Sequence, residues 1–358
     1  MSIIAHPATG RKRNGTENEQ RKGVSSLADR AHKMLSYANR AGVVPVLYHI
    51  EAARLKTVYG RIKTITGPQP EGRLTEMYEI LKKKELNPTV TLMEISAPLV
   101  ARKAEPGQFI ILRVDENGER IPLTVADYDR AKGTVTIIFQ IVGATTEKLN
   151  HLQEGDFLQD FVGPLGRPTE LDGMKRVAVV GGGVGCAIAY PIAKKLHENG
   201  ARVDSVVGFR TKDLLILEDE FRAVSDNLYV MTDDGSAGEK GLVTDALKKA
   251  VEGGAQYDAV ITIGPLIMMK FVCRLTKEYG IKTIASMNPI MIDGTGMCGG
   301  CRLTVGGQTK FACVDGPDFD GHLIDFDEAI ARSAMYKPFE REAHEKVCNL
   351  YKEANNHA

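Results

Sequence analysis

Three of the six cysteines lie within sixteen residues, in a glycine-rich segment that reads DGTGMCGGCRLTVGGQTKFACVDG. Their spacing is Cys298-x2-Cys301-x11-Cys313, and Asp293 stands five positions before the first of them. Plant-type [2Fe–2S] clusters take four thiolates spaced C-x4-C-x2-C…C. The segment reproduces that pattern with aspartate in place of the first cysteine. We therefore predict a [2Fe–2S] cluster bound by Asp293, Cys298, Cys301 and Cys313.

Two alternatives remain for this segment. A structural zinc ion with one aspartate and three cysteine ligands is possible, because C-x2-C is also a zinc signature. Free thiols are the second alternative. If iron is bound, a carboxylate ligand changes the charge and potential of the cluster relative to a fourth thiolate.

The other candidate metal ligands show no such pattern. Cys186, Cys273 and Cys348 are dispersed, and we interpret them as core or partly buried thiols. The eight histidines show no pairing at metal-ligand spacing. His322, in the loop GPDFDGHLID, is interpreted as a surface or capping residue.

A glycine run predicts a nucleotide site. It follows the apolar run RVAVV and precedes CAIAYPIAKKLHENG, which has the composition of a helix. A tight turn that opens a helix offers free N–H groups and a positive dipole end to a pyrophosphate. The match to G-x-G-x-x-G is imperfect because Cys186 takes the third glycine position, so a plain structural turn is the alternative. The predicted contacts are Gly181, Gly182, Gly183 and Gly185.

The residues expected at the ribose leave the choice of dinucleotide open. NAD sites often have an acidic residue about 20 positions after the glycines, but the second strand here ends in VVGFR without one. Arg210 and Lys212 suit a 2′-phosphate, whereas the acidic run at residues 218–220 opposes one.

A third group of motifs lies earlier, in a region of short alternating runs. It comprises RIPLT at residues 120–124 and QIVGATT at residues 140–146. An arginine and main-chain N–H groups suit a diphosphate, and the hydroxyl of Thr124 suits a hydrogen bond to a flavin ring nitrogen. These residues are common in any barrel, so the motifs alone are weak.

The elements that position these motifs fall into distinct segments. Short alternating runs from Met77 onward predict an antiparallel barrel at 77–172. Strands that alternate with helices predict a doubly wound parallel sheet at 173–285. The cluster segment follows at 286–325, and a charged C-terminal helix is expected at 326–358.

Residues 1–75 differ in composition from the rest of the chain. They hold thirteen Lys/Arg and five Asp/Glu, a net charge of +8 within a chain whose formal net charge is zero. We interpret them as a basic extension that is either a docking arm or dispensable sequence ahead of a start at Met77, and the polar composition of residues 1–24 predicts disorder there.

The bulk composition excludes several classes of function. The chain is 43% hydrophobic and 26% charged, ordinary for a globular protein. Its zero net charge gives no indication of nucleic-acid binding. No apolar run approaches the roughly 18 residues of a membrane span, and the first residues show no hydrophobic signal core, so we expect a cytoplasmic protein.

The order of barrel, nucleotide fold and [2Fe–2S] segment resembles the ferredoxin–NADP reductase superfamily. The resemblance covers residues 77–345. Among its subunit-type members, the chain is similar to the dihydroorotate dehydrogenase electron transfer subunit and to the small subunit of NADH-dependent reduced ferredoxin:NADP oxidoreductase. The strings ERIPLTVADYD, VVGGGVGCA and the cluster segment carry the similarity. Aspartate in place of the first cysteine favours the second, transhydrogenase-type group.

This resemblance implies a set of cofactors and a partner. FAD and NAD(H) bind to the chain, hydride passes from NAD(H) to FAD, and single electrons pass to the [2Fe–2S] cluster. A larger partner subunit carries its own flavin and [4Fe–4S] clusters, performs the electron bifurcation, and connects the heterodimer to ferredoxin and NADP. The alternative is the same electron path serving dihydroorotate oxidation.

The resemblance also assigns site residues. In the usual subunit pattern, R-P-x-S/T, there is no spacer at the position of Ile121. The superfamily often has Cys-Gly-Pro facing the nicotinamide, and here Ile263 replaces the cysteine, so no thiol takes part there. The implied catalytic residue is Thr124. The implied cofactor contacts beyond the glycine run are Arg120, Pro122, Leu123, Thr124, Gln140, Val142, Gly143, Thr145, Thr146, Arg210, Gly264 and Pro265.

Overall fold

The computed structural model describes residues 78–356, with side chains as far as Tyr351. The basic extension predicted at 1–75, and the start considered at Met77, lie outside the described residues.

Seven short strands with alternating apolar residues form the first, antiparallel sheet. The strands are β1 (Tyr78–Asn87), β2 (Val90–Ser96), β3 (Phe109–Arg113), β4 (Ile121–Asp129), β5 (Thr134–Gln140), β6 (Phe157–Leu158) and β7 (Asp160–Leu165), with helices α1 (Pro98–Ala101) and α2 (Ala144–His151). Their order in the sheet is β6-β1-β2-β5-β4-β3-β7. Because only Gln159 separates the two edge strands, the sheet curls until its edges meet, giving a nearly closed barrel. Apolar side chains such as Ile95, Leu112, Ile137 and Phe161 fill its interior.

A second seven-stranded sheet holds the nucleotide fold. Its elements are β8 (Arg176–Gly182), α3 (Cys186–Glu198), β9 (Arg202–Phe209), α4 (Glu218–Val224), β10 (Asn227–Thr232), β11 (Glu239–Lys240), α5 (Val243–Glu252), β12 (Ala259–Ile263), α6 (Leu266–Glu278) and β13 (Thr283–Ser286). The order is β11-β10-β9-β8-β12-β13, with one further strand beyond β13. These strands are parallel, and the central strands β8, β9 and β12 are buried along most of their length, which explains their continuous apolar runs. The order reverses between β8 and β12, where α/β folds bind ligands.

The cluster segment leaves this sheet and returns to it. Its elements are the hairpin β14 (Arg302–Val305) and β15 (Gln308–Phe311), the short helix α7 (Ala312–Asp315) and β16 (Asp318–Asp320). Strand β16 pairs antiparallel with β13, with Ser286 opposite Asp318. Both ends of the segment are therefore fixed to one edge of the sheet.

The C-terminal region contains two helices rather than the one predicted. They are α8 (Phe326–Ser333) and α9 (Lys337–Asn356). Pro338 stands at the second position of α9. Because proline lacks an N–H donor and restricts the residue before it, it suits a helix start and interrupts a continuous helix. No helix in the described part of the chain has both the length and the apolarity to cross a membrane.

The barrel and the nucleotide sheet pack into a single core. Val90, Ala126 and Ile138 of the barrel lie among the side chains that α3 and the parallel sheet bury. At the same seam, Lys194 Nζ is 2.9 Å from Asp127 Oδ1. Residues 76–358 form one compact unit, so this seam sets the geometry of the cleft between the two sheets. The predicted fold class, a barrel followed by a doubly wound sheet and an iron–sulfur segment, is confirmed.

Candidate functional site

A cleft of about 680 Å³ lies between the barrel and the carboxyl ends of the parallel strands. Thr124 and Gln140 line it from the barrel. The turn after β8, at residues 182–185, and the turn after β12, at residues 264–268, line it from the sheet. The cleft therefore lies at the switch point of the sheet, where a dinucleotide is expected.

Strand alternation decides which of the predicted flavin residues reach the cleft. Successive side chains of a strand point to opposite faces, so Pro122 and Thr124 line the cleft while Leu123 packs against the barrel core. Arg120 precedes the strand and is 47% exposed, with its guanidinium 3.8 Å from Asp160. Strand β4 thus brings Pro122 and Thr124 to the cleft, and Arg120 and Leu123 lie outside its lining.

The residues predicted to contact a diphosphate form the start of α2. Thr146 Oγ1 accepts hydrogen bonds of 3.0 Å from the N–H groups of Val142 and Gly143. The Thr145 hydroxyl donates to Glu119 Oε2 at 2.8 Å. No atom lies within 4 Å of the position of a Cβ on Gly143. These residues are not part of the cleft lining, but they form an open helix start of the kind that binds anions.

The glycine turn after β8 brings two elements into close contact. A Cβ on Gly185 would lie 2.6 Å from the carbonyl oxygen of Ile263 and 2.7 Å from Gly264 Cα. Gly185 therefore has the packing role of the third glycine in G-x-G-x-x-G. This explains the imperfect motif: Cys186, at the third glycine position, has its thiol in the core, where burial raises the thiol pKa. Gly182 and Gly183 line the cleft, whereas Gly181 lies inside the buried strand, one residue before its end.

The part of the cleft beside Arg210 contains an acidic residue that the sequence analysis did not identify. Arg210 lines the cleft as predicted, and Asp233 lines it as well. Asp233 follows β10, and the carboxyl ends of neighbouring parallel strands meet at one edge. An acidic residue was expected at the end of β9, but Asp233 is the first aspartate of NLYVMTDD, at the end of β10. Lys212 and the acidic run at 218–220 are not among the described residues that line the cleft.

The four predicted cluster ligands lie together as two close pairs. Asp293 Oδ1 is 3.4 Å from Cys298 Sγ, and Cys301 Sγ is 3.3 Å from Cys313 Sγ. A [2Fe–2S] cluster needs two protein ligands on each iron, which matches two pairs. A single tetrahedral zinc ion needs all four ligands within roughly 3.8 Å of one another. Within residues 78–351, the one set of three metal-ligating atoms that lie within 4.8 Å of one another is elsewhere. The geometry therefore fits two irons better than one zinc.

The pKa values of Asp293, in the first pair, and Cys313, in the second, are shifted in opposite directions. Backbone N–H groups of Thr295, Met297 and Cys298 donate to the carboxylate of Asp293 at 3.2, 2.9 and 3.0 Å. Partial desolvation raises the pKa of Asp293, but these hydrogen bonds outweigh it and lower the pKa to about 2. The carboxylate is therefore ionised at neutral pH, the form that binds a metal.

Cys313 of the buried pair carries its proton instead. Burial, followed by the hydrogen bond shared with Cys301, raises the pKa of Cys313 to about 12. Because metal binding requires thiolates, iron must displace this proton. On the exposed side, the Gly300 N–H points at Cys298 Sγ at 3.5 Å, and such hydrogen bonds to sulfur tune cluster potentials.

The remaining cysteines and His322 lie apart from the cluster ligands. Cys186 and Cys273 are buried and Cys348 is half-buried, as predicted. His322 Nε2 is 3.0 Å from Thr276 Oγ1, and the His322 N–H donates to Asp320. This half-buried histidine is held by Thr276 and Asp320 and is not near the predicted cluster ligands.

The fold brings one histidine into a group of metal-ligating side chains that the histidine spacing did not indicate. His344 and Cys348 lie four residues apart on α9, and their ligand atoms and that of Glu147 lie within 4.8 Å of one another. The sequence concealed this group because Glu147 is 197 residues from His344.

Two relatives match this chain over nearly their whole length. A Clostridium beijerinckii protein described as an uncharacterized protein in the adh 3′ region is 54% identical over 290 residues, 79% of this chain and 97% of that protein. The Thermotoga maritima homolog of the dihydroorotate dehydrogenase B (NAD(+)) electron transfer subunit is 49% identical over 272 residues, 76% of this chain and 96% of that protein. The chain belongs to the dihydroorotate dehydrogenase B electron transfer subunit family.

Two further comparisons extend this family assignment. The iron–sulfur cluster binding domain of dihydroorotate dehydrogenase B matches residues 288–325, which contain all four predicted cluster ligands. A solved structure reported for flavin-based electron bifurcation by NADH-dependent reduced ferredoxin-NADP oxidoreductase is 48% identical, with a TM-score of 0.73. The match covers 77% of this chain and 100% of that one. This electron transfer subunit is therefore an oxidoreductase subunit related to both groups, as the motifs predicted.

Proposed function

We propose that this electron transfer subunit passes hydride between NAD(H) and FAD and single electrons to a [2Fe–2S] cluster, within a ferredoxin-dependent NADH:NADP+ transhydrogenase. The observation that carries the proposal is the paired arrangement of Asp293, Cys298, Cys301 and Cys313, in one unit with a dinucleotide cleft and a flavin-type barrel. The 48% identity to the bifurcating oxidoreductase structure supports it.

In this proposal the sheet binds the dinucleotide. The N–H groups at residues 183–185 and the start of α3 bind its pyrophosphate, because both carry positive partial charge. Asp233 accepts hydrogen bonds from the ribose hydroxyls, which favours NAD(H) over NADP(H). Gly264 and Pro265, at the switch point, hold the nicotinamide toward the barrel wall.

The barrel binds the flavin. Pro122 provides apolar contact, and the Thr124 hydroxyl hydrogen-bonds to the ring edge that faces the nicotinamide, the role expected of the catalytic residue. Gln140 lines the same wall, and the open start of α2 binds the diphosphate. The bound cofactors supply the conversion of two-electron hydride transfer into one-electron steps, while the protein supplies position and electrostatics.

The cluster segment connects this chain to its partner. Cys298 is exposed, and apolar side chains beside it are exposed as well, with Met297 89% and Ile292 50% exposed. Exposed apolar groups next to a redox centre suit docking of another protein. We assign this surface to a larger flavin and [4Fe–4S] subunit, through which ferredoxin and NADP act.

A second candidate is dihydroorotate oxidation, because curated relatives carry the name of that enzyme's electron transfer subunit. The electron path within the chain is the same in both. Asp293 is the residue that favours the transhydrogenase-type assembly.

Purification of the native complex tests the proposal. The expected result is a yellow-brown protein with flavin, iron, a reducible [2Fe–2S] electron paramagnetic resonance signal and a co-purifying larger subunit. A dihydroorotate-oxidising partner would establish the second candidate. A colourless protein with stoichiometric zinc at the cysteines would contradict both.

Variants of Asp293 test its role as a ligand. Asp293→Cys should alter the resonance signal and the midpoint potential, and Asp293→Ala should weaken cluster retention. Asp315→Asn is the matched control, because Asp315 accepts the Phe311 N–H in the same segment without belonging to either pair. Unchanged spectra and potential in Asp293→Cys would show that Asp293 does not coordinate iron.

A further inference from the structure

Four metal-ligating side chains lie at the seam where α9 packs on α2 of the barrel. Glu147 and His151 are four residues apart on α2, and His344 and Cys348 have the same separation on α9. Residues at positions i and i+4 share one face of a helix. Each helix therefore presents a pair of ligands at the same seam.

Glu147 links the two pairs. Its Oε1 is 3.3 Å from His151 Nε2, and its Oε2 is 3.4 Å from His344 Nε2. The ligand atoms of Glu147, His344 and Cys348 all lie within 4.8 Å of one another. A tetrahedral zinc ion, with bonds of about 2.0–2.3 Å, separates its ligand atoms by roughly 3.3–3.8 Å. Side-chain adjustments of about 1 Å bring the set to that geometry.

The chemistry of these ligands selects the metal. Imidazole and thiolate favour zinc and disfavour magnesium and calcium, which take oxygen ligands. We propose that Glu147, His344 and Cys348, with His151 as fourth ligand, bind one zinc ion that fastens the C-terminal helix to the barrel.

The packing of α9 gives such an ion a structural role. None of the described side chains of α9 is fully buried. Its half-buried residues form one narrow stripe with a helical repeat, so apolar burial contributes little to its attachment. The stripe consists of Ala343, His344, Val347, Cys348 and Tyr351.

An aromatic contact supports the fourth ligand. The His151 ring stacks on Tyr351, with ring centroids 3.6 Å apart and an interplanar angle of 19°. Contacts that fix the orientation of a ligating imidazole strengthen metal binding.

Hydrogen bonds from both histidines to Glu147 are the alternative explanation of this cluster. Replacing one of these side chains weakens the attachment of α9 whether the group binds zinc or only forms hydrogen bonds. Only the first explanation requires zinc, so the experiment measures bound zinc directly.

The test uses the holoprotein with its iron quantified, so that iron occupies the cluster cysteines. Zinc chloride alone is added, excess is removed by gel filtration, and zinc is measured by elemental analysis and X-ray absorption. We expect one zinc per chain with one sulfur ligand. His344→Ala and Cys348→Ser should each weaken zinc binding more than about a hundredfold, beyond the roughly 10–100-fold loss from a change outside the ligand set. His197→Ala, at an exposed histidine on α3, is the matched control and should bind zinc like the wild type.

Thermal unfolding gives a second readout. Zinc should raise the melting temperature of the wild type and of His197→Ala, because an ion that binds only the folded state stabilises it. Zinc should not change the melting temperatures of His344→Ala and Cys348→Ser. Glu147→Gln, which keeps the size of the side chain, should also lose the zinc response if the α9 variants fold poorly.

Three results would overturn the proposal: wild-type holoprotein without zinc, zinc with three sulfur ligands, or zinc retained by Cys348→Ser. None of them affects the proposed electron transfer, which is judged from flavin, iron and the reducible cluster signal.

Discussion

Gly185 is the position where one added methyl group should alter both stability and dinucleotide binding. In Gly185→Ala, the new Cβ meets Ile263 O at 2.6 Å, Gly264 Cα at 2.7 Å and Ile263 C at 2.9 Å. All three are backbone atoms, so no side chain can rotate away. Ordinary contact begins at 3.4 Å, so the turn after β12 must move by about 0.8 Å or α3 must shift by as much.

The expected magnitude follows from two opposing contributions. Overpacking of this kind costs about 1–3 kcal/mol. Gly185 has φ −58, which alanine adopts without strain. Alanine also lowers the entropy of the unfolded chain, which stabilises the folded protein by about 0.4–1 kcal/mol. The free energy of unfolding should therefore fall by about 1–2 kcal/mol.

Two assays measure the change. Urea unfolding followed by circular dichroism gives the free energy of unfolding, and NADH oxidation with ferricyanide as acceptor gives the KM for NADH. Because Gly264 moves away from its place beside the nicotinamide, kcat/KM should fall roughly tenfold or more.

The control is Gly143→Ala. Gly143 is extended, with φ −155, and has no atom within 4 Å of a Cβ position. Its stability should change by less than about 0.5 kcal/mol. If Gly185→Ala unfolds at the same urea concentration as the wild type, α3 and β12 are not in the tight contact described here.

Three further predictions concern the sheet and the partner surface. Asp204 is buried, and although desolvation raises its pKa, hydrogen bonds from Arg176, Asn227 and Tyr257 hold the pKa below its ordinary value of 3.8. A carboxyl group with a lowered folded pKa stabilises the protein above pH 3.8, and this stabilisation is lost as the pH falls through the folded pKa. Because the Arg176 side chain is 27% exposed and water can solvate it, Asp204→Asn should lower the free energy of unfolding at pH 7 by about 1–3 kcal/mol, measured by urea unfolding. That deficit should shrink below pH 4, and a deficit independent of pH would contradict the ionised state. Asp233→Asn should raise the KM for NADH and lower that for NADPH, each by about tenfold or 1.4 kcal/mol, in the ferricyanide assay; unchanged KM values would remove Asp233 from the ribose site. Met297→Asp should weaken pull-down of the larger subunit without loss of iron, and full retention would place the docking surface elsewhere.

The sequence was most informative where function depends on residues close together in the chain. The four cluster ligands lie within residues 293–313, so their spacing alone predicted that they meet. The glycine run and strand β8 are contiguous as well. In both cases residues that are close in sequence set the geometry of the site, and tertiary packing contributes little to it.

Sequence reasoning failed where side chains meet only through tertiary packing. Asp233 reaches the cleft because β10 lies beside β9, and Glu147 reaches His344 because α9 folds back on the barrel. Strand alternation also overrode a contiguous motif, since Leu123 faces away from the cleft between two residues that line it. The C-terminal region divides into two helices at Pro338, because proline favours a helix start and interrupts a continuous helix.

The return of the cluster segment to the sheet edge has a consequence for the position of the cluster. The segment leaves after Ser286 on β13 and comes back at Asp318, its direct neighbour across the strands. Neighbouring strands lie only about 4.8 Å apart, so the two ends meet almost as closely as those of a hairpin loop. Residues 287–317 therefore form a loop whose two ends are held side by side by β13 and β16. Its paired base ties the predicted cluster ligands to the edge of the parallel sheet, so these two strands determine where the cluster lies relative to the cleft.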